Sequence, residues 1–143
     1  MLKASRVLSD AATAAAPSDT LTLPFELRQR SRLVASLASG RQIALTLPRG
    51  HVLRGGARLQ ADDGTVIGVL SAAEELSVVP SADPAALLRA AYHLGNRHVP
   101  VQVGEGFLRI AEDHVLEDLL RRLGASVMHV EAPFEPEGGA YQA

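Results

Sequence analysis

The 143-residue sequence predicts an α+β fold in two parts, on three observations. The first half carries short runs rich in Val, Leu and Ile, separated by glycine-containing turn signals. The second half, from about Glu75, alternates such runs with two stretches of helical periodicity. Apolar residues make up 47% of the chain and aromatics 3%, so a core is available but must be built from Val, Leu, Ile and Ala. The length suits one domain or two of about 70 residues each. The change of character divides the chain into a β-rich part, residues 1–74, and a second part, residues 75–143.

In the first part, "SRLVASLASGRQIALTLPRG" holds two apolar runs split by Ser39-Gly40, a hairpin signal in which Gly40 takes a positive φ. "ARLQADDGTVIGVLSA" repeats the pattern around Asp62-Asp63-Gly64. "LPRGHVLRGGARL" between them reads as loop, and Ala11 to Thr20, ending in Pro17-Ser18-Asp19, reads as a flexible loop. Short strands at regular turn spacing predict a small antiparallel sheet or sandwich.

In the second part, "ELSVVP" is a strand. "SADPAALLRAAYHLGN" is a helix, with Asp83 as N-cap and Pro84 at the first helical position, where its missing N–H costs nothing. Leu87, Leu88, Ala91 and Leu94 form its apolar face, and Gly95-Asn96 end it. "VPVQV" alternates with period two, placing Val99, Val101 and Val103 on one face and His98, Pro100 and Gln102 on the other. "GEG" is a tight turn into "FLRI". "DHVLEDLLRRLG" is a second helix with Leu116, Leu119, Leu120 and Leu123 inward. On its outer face, Glu117–Arg121 and Asp118–Arg122 form acid-before-base pairs. "SVMHVE" is the last strand and "APFEPEGGAYQA" an irregular extension. Strand, helix, strand, strand, helix, strand is the split βαβ or ferredoxin-like order, two helices on one face of a four-stranded antiparallel sheet.

The totals exclude several functions. A net charge of −2 with no Lys/Arg block argues against a nucleic-acid partner. The absence of cysteine removes disulfides, thiolate metal sites and cysteine nucleophiles together. No apolar run reaches the roughly 20 residues of a membrane span, and Arg6 and Asp10 interrupt any signal-peptide core. A cytoplasmic protein is expected. No G-x-S-x-G, phosphate-binding loop or zincin motif is present, so the chain reads as no enzyme.

Five histidines remain. His98, near the start of the Val-rich run, is either an ordinary exposed side chain or a metal ligand, since neutral imidazole suits Ni, Cu and Zn. His93 lies on the last helical turn, where the macrodipole alone favours it. His114 follows Glu112 and Asp113, which places oxygen and nitrogen donors side by side. The bland alternative makes Asp113 an N-cap and His114 a first-turn residue. His51 and His129 have no ligand partner nearby in sequence. With no HxxxH and no cluster of three histidines, a closed structural zinc site is not expected. If His98 binds metal, the economical source of further ligands is a second copy across a two-fold axis.

"AYHLGNRHVPVQV", "DHVLEDLLRRLG" and "APFEPEGGAY", with "LPRGHVLRGG" in the first part, resemble the UreE family of urease accessory proteins over nearly the whole chain. The resemblance implies a β-rich domain likened to peptide-binding chaperone domains, then a ferredoxin-like, metal-binding domain that forms a homodimer. It implies a metallochaperone that carries nickel to the urease apoprotein together with a GTP-hydrolysing accessory partner. Nickel is then cargo, and zinc or copper can substitute because the affinity order does not favour nickel. His98 matches the family's metal-ligating histidine at the dimer interface. Where some members read "HHDH" this chain has Ala111-Glu112-Asp113-His114, so His114 is the retained imidazole and Glu112 stands where a histidine can be. The rival reading is a non-metal chaperone or adaptor that binds a partner through its β-domain. A metallohydrolase would need a general base beside an open metal position, for which Glu112 is the nearby carboxylate.

Overall fold

A computed structural model describes residues 1–8 and 16–138. The chain divides into two compact units, Met1–Ala72 and a second that begins at Ala73.

The first unit contains β1 (Leu2–Val7), β2 (Asp19–Leu23), α1 (Phe25–Arg28), β3 (Arg32–Ser36), β4 (Gln42–Thr46), β5 (Arg58–Ala61) and β6 (Val66–Ser71). They form one six-stranded sheet in the order β2-β6-β5-β1-β4-β3. The two expected hairpins, β3–β4 and β5–β6, are present. Gly40 and Gly64 take φ of 92° and 88° at their turns, a region that costs a residue with a Cβ about 1–2 kcal/mol. The expectation of a purely antiparallel sheet is corrected, because β1 pairs parallel to β4 and β2 parallel to β6. The predicted loop over Ala11 to Thr20 is also corrected at its end, where Asp19 and Thr20 open β2; its residues 11–15 lie outside the described part. Leu21, Ile43, Leu53, Leu59, Ile67 and Val69 are fully buried in the core. Arg28 is buried beside them, its charge satisfied by carbonyls: Nε donates to Leu23 O at 3.0 Å and a terminal NH₂ to Leu53 O at 2.9 Å.

The second unit contains β7 (Ala73–Pro80), α2 (Pro84–Asn96), β8 (Gln102–Gly104), β9 (Phe107–Ala111), α3 (His114–Arg122) and β10 (Met128–Pro133). Its sheet runs β10-β7-β9-β8 with every pair antiparallel. That is the ferredoxin-like order, with the first and third strands central. Asp83 caps α2 by accepting from Ala85 N–H, and Asp113 caps α3 by accepting from Val115 and Leu116 N–H. Such caps are worth about 1 kcal/mol each. Val79, Leu108 and Ile110 from the sheet bury with Ala90, Leu94 and Leu120 from the helices. Each fully buried Leu or Ile contributes about 1.5–3 kcal/mol.

Three expectations fail in this unit. The Val-rich run is not a strand from its start: only Gln102–Gly104 pairs, Val99 and Val101 pack against the core from irregular backbone, and Val103 is exposed. Leu88 points out rather than in, 71% exposed beside Tyr92 at 69%. Glu117 lies not on the outer face of α3 but within it, 1% exposed. At about 100° per residue, Glu117 sits only some 60° from Leu120, on the border of the apolar arc. Its pairing with Arg121 survives at 3.6 Å, and Asp118 also turns to Arg121 rather than Arg122, at 3.5 Å.

Candidate functional site

His98 follows the last turn of α2. Its φ is +57°, and among the described residues no other non-glycine has a positive φ. The backbone explains the placement. His98 N–H donates to Gly95 O at 3.0 Å and Val99 N–H to Leu94 O at 3.2 Å, the paired hydrogen bonds of a Schellman motif with His98 at the left-handed C′ position. The end of α3 uses the same motif. There Gly124, with φ 88°, donates to Arg121 O at 3.0 Å, and Ala125 to Leu120 O at 3.0 Å. Glycine fills this position without strain in α3, whereas α2 spends an exposed histidine on it. Pro100 lies in irregular backbone before β8, an edge strand, where no ladder partner calls for its missing N–H.

His114 is the first residue of α3, its side chain 88% exposed. Its Nδ1 lies 3.9 Å from Glu117 Oε1. His93 occupies the last turn of α2 with the Tyr92 ring edge-on at 5.2 Å.

A third set of donors, invisible as a cluster in the sequence, gathers at the end of the sheet beyond the apolar core. The registers Ser77↔His129 and Ser77↔Ile110 put Ser77 and His129 on the face that Ile110 presents to the core. One step outward, Glu75 pairs with Glu131, and Glu112 N–H donates to Glu75 O at 3.2 Å. From α3, the Glu117 carboxylate reaches over this row. Its Oε2 accepts from Ser77 Oγ at 2.6 Å and lies 2.7 Å from His129 Nε2. The Ser77 hydrogen bond, working against burial and helped by His129, holds Glu117 below the ordinary carboxylate range. Glu75 is pushed the other way, first by its hydrogen bond to Glu131, then by the charge of Glu131, by loss of solvent and by the charge of Glu112. Ligand atoms of Glu112, Glu117 and His129 lie within 4.8 Å of one another. Sequence reasoning missed His129 because its partners are 12 and 17 residues away. The one available signal was strand parity: a ferredoxin-like order sets the last strand beside the first, and that pairing sets His129 opposite Ser77.

The fold and these side chains define a class: a β-rich domain followed by a ferredoxin-like domain that carries imidazole and carboxylate donors at its helix ends and strand ends. Two family models match, described as the N-terminal domain of UreE urease accessory protein over residues 3–72 and its C-terminal domain over residues 74–143. Named urease accessory proteins are similar along most of the chain. One from Alkalilimnicola ehrlichii is 59% identical over 89% of this chain and 78% of its own length. One from Pseudomonas putida strain GB-1 is 54% identical over 100% and 87%. One from Burkholderia orbicola is 52% identical over 92% of this chain but 64% of its own length, so the chain spans a little under two thirds of that relative. The chain belongs to the UreE family of urease accessory proteins. No helix among the described residues is long and apolar enough to cross a membrane.

Proposed function

We propose that this chain is a homodimeric metallochaperone that delivers nickel to the urease apoprotein during active-site assembly, working in the cytoplasm with a GTP-hydrolysing accessory partner. Nickel is held as cargo by His98 from each of two protomers, with His114 as a further ligand; zinc or copper can occupy the same donors. Residues 1–74 serve as the partner-binding domain and 75–143 as the metal-binding and dimerisation domain. No catalytic role is assigned to any residue.

Beyond family membership, the observation that carries this reading is the backbone of His98. An exposed imidazole at a left-handed position costs stability that glycine would restore, and such strain concentrates where a side chain is needed. A second feature supports the two-fold arrangement. Leu88 and Tyr92 are one turn apart on α2, both exposed, and their stripe runs toward the end of the helix that carries His98. Two copies meeting there bury apolar surface and bring two imidazoles together, because a two-fold interface is self-complementary.

Nickel titration by calorimetry, on the parent protein and on His98→Ala with the dimer mass measured in parallel, tests the proposal. One tight ion per dimer, lost in the variant while the dimer persists, is the expected result. Equal binding by both proteins removes His98 from the site. The adaptor reading rests on β3, an edge strand of the first sheet with Val34 58% exposed, which could take an extended peptide. Partner binding that persists unchanged without any metal would favour it.

A further inference from the structure

We infer that Glu112, Glu117 and His129 form a divalent-cation site within each protomer, separate from the His98 site. The donor set is one imidazole and two carboxylates, a mixture suited to borderline ions such as Zn²⁺, Ni²⁺ or Co²⁺. Neither His98 nor His114 belongs to it.

Three features of the geometry carry the assignment. First, the donors converge from three elements: Glu112 from the turn after β9, Glu117 from α3 and His129 from β10, with one ligand atom from each inside a 4.8 Å span. Second, the central donor is already fixed. Glu117 is 1% exposed and anchored by Ser77 Oγ at 2.6 Å, so little side-chain freedom remains for it to lose on binding. Its Oε1 has no closer contact than Arg121 at 3.6 Å and His114 at 3.9 Å among the ion pairs described. Third, the surroundings carry further negative charge. Glu75 and Glu131 stand directly opposite on paired strands, an arrangement of like charges that destabilises a sheet, and Glu112 adjoins them. Glu75 and Glu131 thus add their carboxylates to those of Glu112 and Glu117, and Arg121 pairs with Glu117 at 3.6 Å. A bound dication relieves that repulsion.

The rim is open. The Glu112 side chain is 35% exposed and His129 48%, so an ion enters from solvent and leaves again, which suits exchange rather than permanent anchoring. His129 Nε2 lies 3.9 Å from Glu112 Oε1 and 2.7 Å from Glu117 Oε2; metal binding replaces the latter hydrogen bond with two bonds to the ion. The His98 site is shared between copies, while this one is complete in a single chain. The two therefore differ in stoichiometry.

Zinc and nickel titrations of the full chain in the His98→Ala background test the assignment, with circular dichroism and melting curves confirming the fold. The expected result is one ion per protomer, weakened about tenfold or more by adding His129→Gln or Glu112→Gln, the scale on which even outer partners of a metal site act. Both substitutions fall on half-exposed side chains, and Gln at 129 can still hydrogen-bond Glu117. With Co²⁺ as probe, the visible absorption of the His98→Ala protein should disappear in the double variants. If His98→Ala binds no ion, or if it binds equally well with residues 112 and 129 replaced, Ser77, Glu117 and His129 are only a structural hydrogen-bond network and the inference fails. Failure of the shared site shows separately, as an unchanged titration between the parent and His98→Ala.

Discussion

Replacing His98 by glycine is expected to give a more stable protein than replacing it by alanine. The Ala variant keeps φ near +57° with a Cβ in place, a conformation that costs about 1–2 kcal/mol. The Gly variant removes that cost and preserves both hydrogen bonds of the helix end, since these are made by backbone groups. Against this, glycine gains about 0.4–1 kcal/mol of unfolded-state freedom. The balance favours glycine by about 1 kcal/mol, or about 4–8 °C in Tm for a domain of this size. Urea and thermal melts of the two variants, in chelator and at one fixed protomer concentration, make the comparison. Histidine itself tolerates the left-handed region better than most residues and should fall between them. Alanine equal to or above glycine would refute a left-handed His98. Nickel titrations on the same preparations should show both variants equally impaired, which separates the backbone effect from the imidazole.

Ser77→Ala removes a donor from the buried Glu117 and should cost about 1–3 kcal/mol in denaturant melts. Its pH dependence has a definite sign. Glu117 titrates below its ordinary 4.5, so its stabilisation is complete above about 4.5 and is lost as pH falls through the lower folded value; in Ser77→Ala the acid loss should begin at higher pH. Glu75 has the opposite sign: its folded pKa is raised above the ordinary 4.5, so stability is lost as pH rises from about 4.5 through the folded value, and the full cost is present above it. Glu75→Gln should therefore raise Tm at neutral pH in chelator, with the gap to the parent closing as the solution is made acid. On the two-fold interface proposed above, Leu88→Glu should shift the protein toward monomer in sedimentation or mass measurements while leaving the circular dichroism spectrum intact. Gly104→Ala places a Cβ about 2.0 Å from the Phe107 ring, so the ring must move off the Arg109 guanidinium 4.6 Å away, and a lower Tm with altered Phe107 ring shifts is expected.

Local signals made the second domain readable. Asp83-Pro84 and Asp113 mark helix starts whatever surrounds them, and the apolar periodicity between them, with glycine-bearing turns, suffices for the βαββαβ order. The first domain was harder because its parallel pairs join strands far apart in sequence: Leu2 opposite Ile43 and Asp19 opposite Ile67. No turn residue announces such pairings. The same limit applies to the candidate sites. His98 was legible as a side chain from its surrounding residues, but its left-handed backbone was not, since Gly95-Asn96 offered a more ordinary helix stop. Glu117 was misplaced because its spacing to Arg121 matches a surface pair. Its inward partners, Ser77 and His129, are 40 and 12 residues away and become neighbours only in the fold.

The segment after β10 does not simply leave the fold. Phe134 is buried, Glu135 N–H donates to Gln102 Oε1 at 3.1 Å, and Glu137 N–H donates to Val101 O at 2.8 Å. Val101 is three residues from His98, a span of at most about 11 Å of chain. The segment up to Glu137 is therefore moored to the irregular stretch of chain that leads from His98 to β8. A change that breaks the Glu137–Val101 hydrogen bond thus reaches the backbone that holds His98 without touching the imidazole itself.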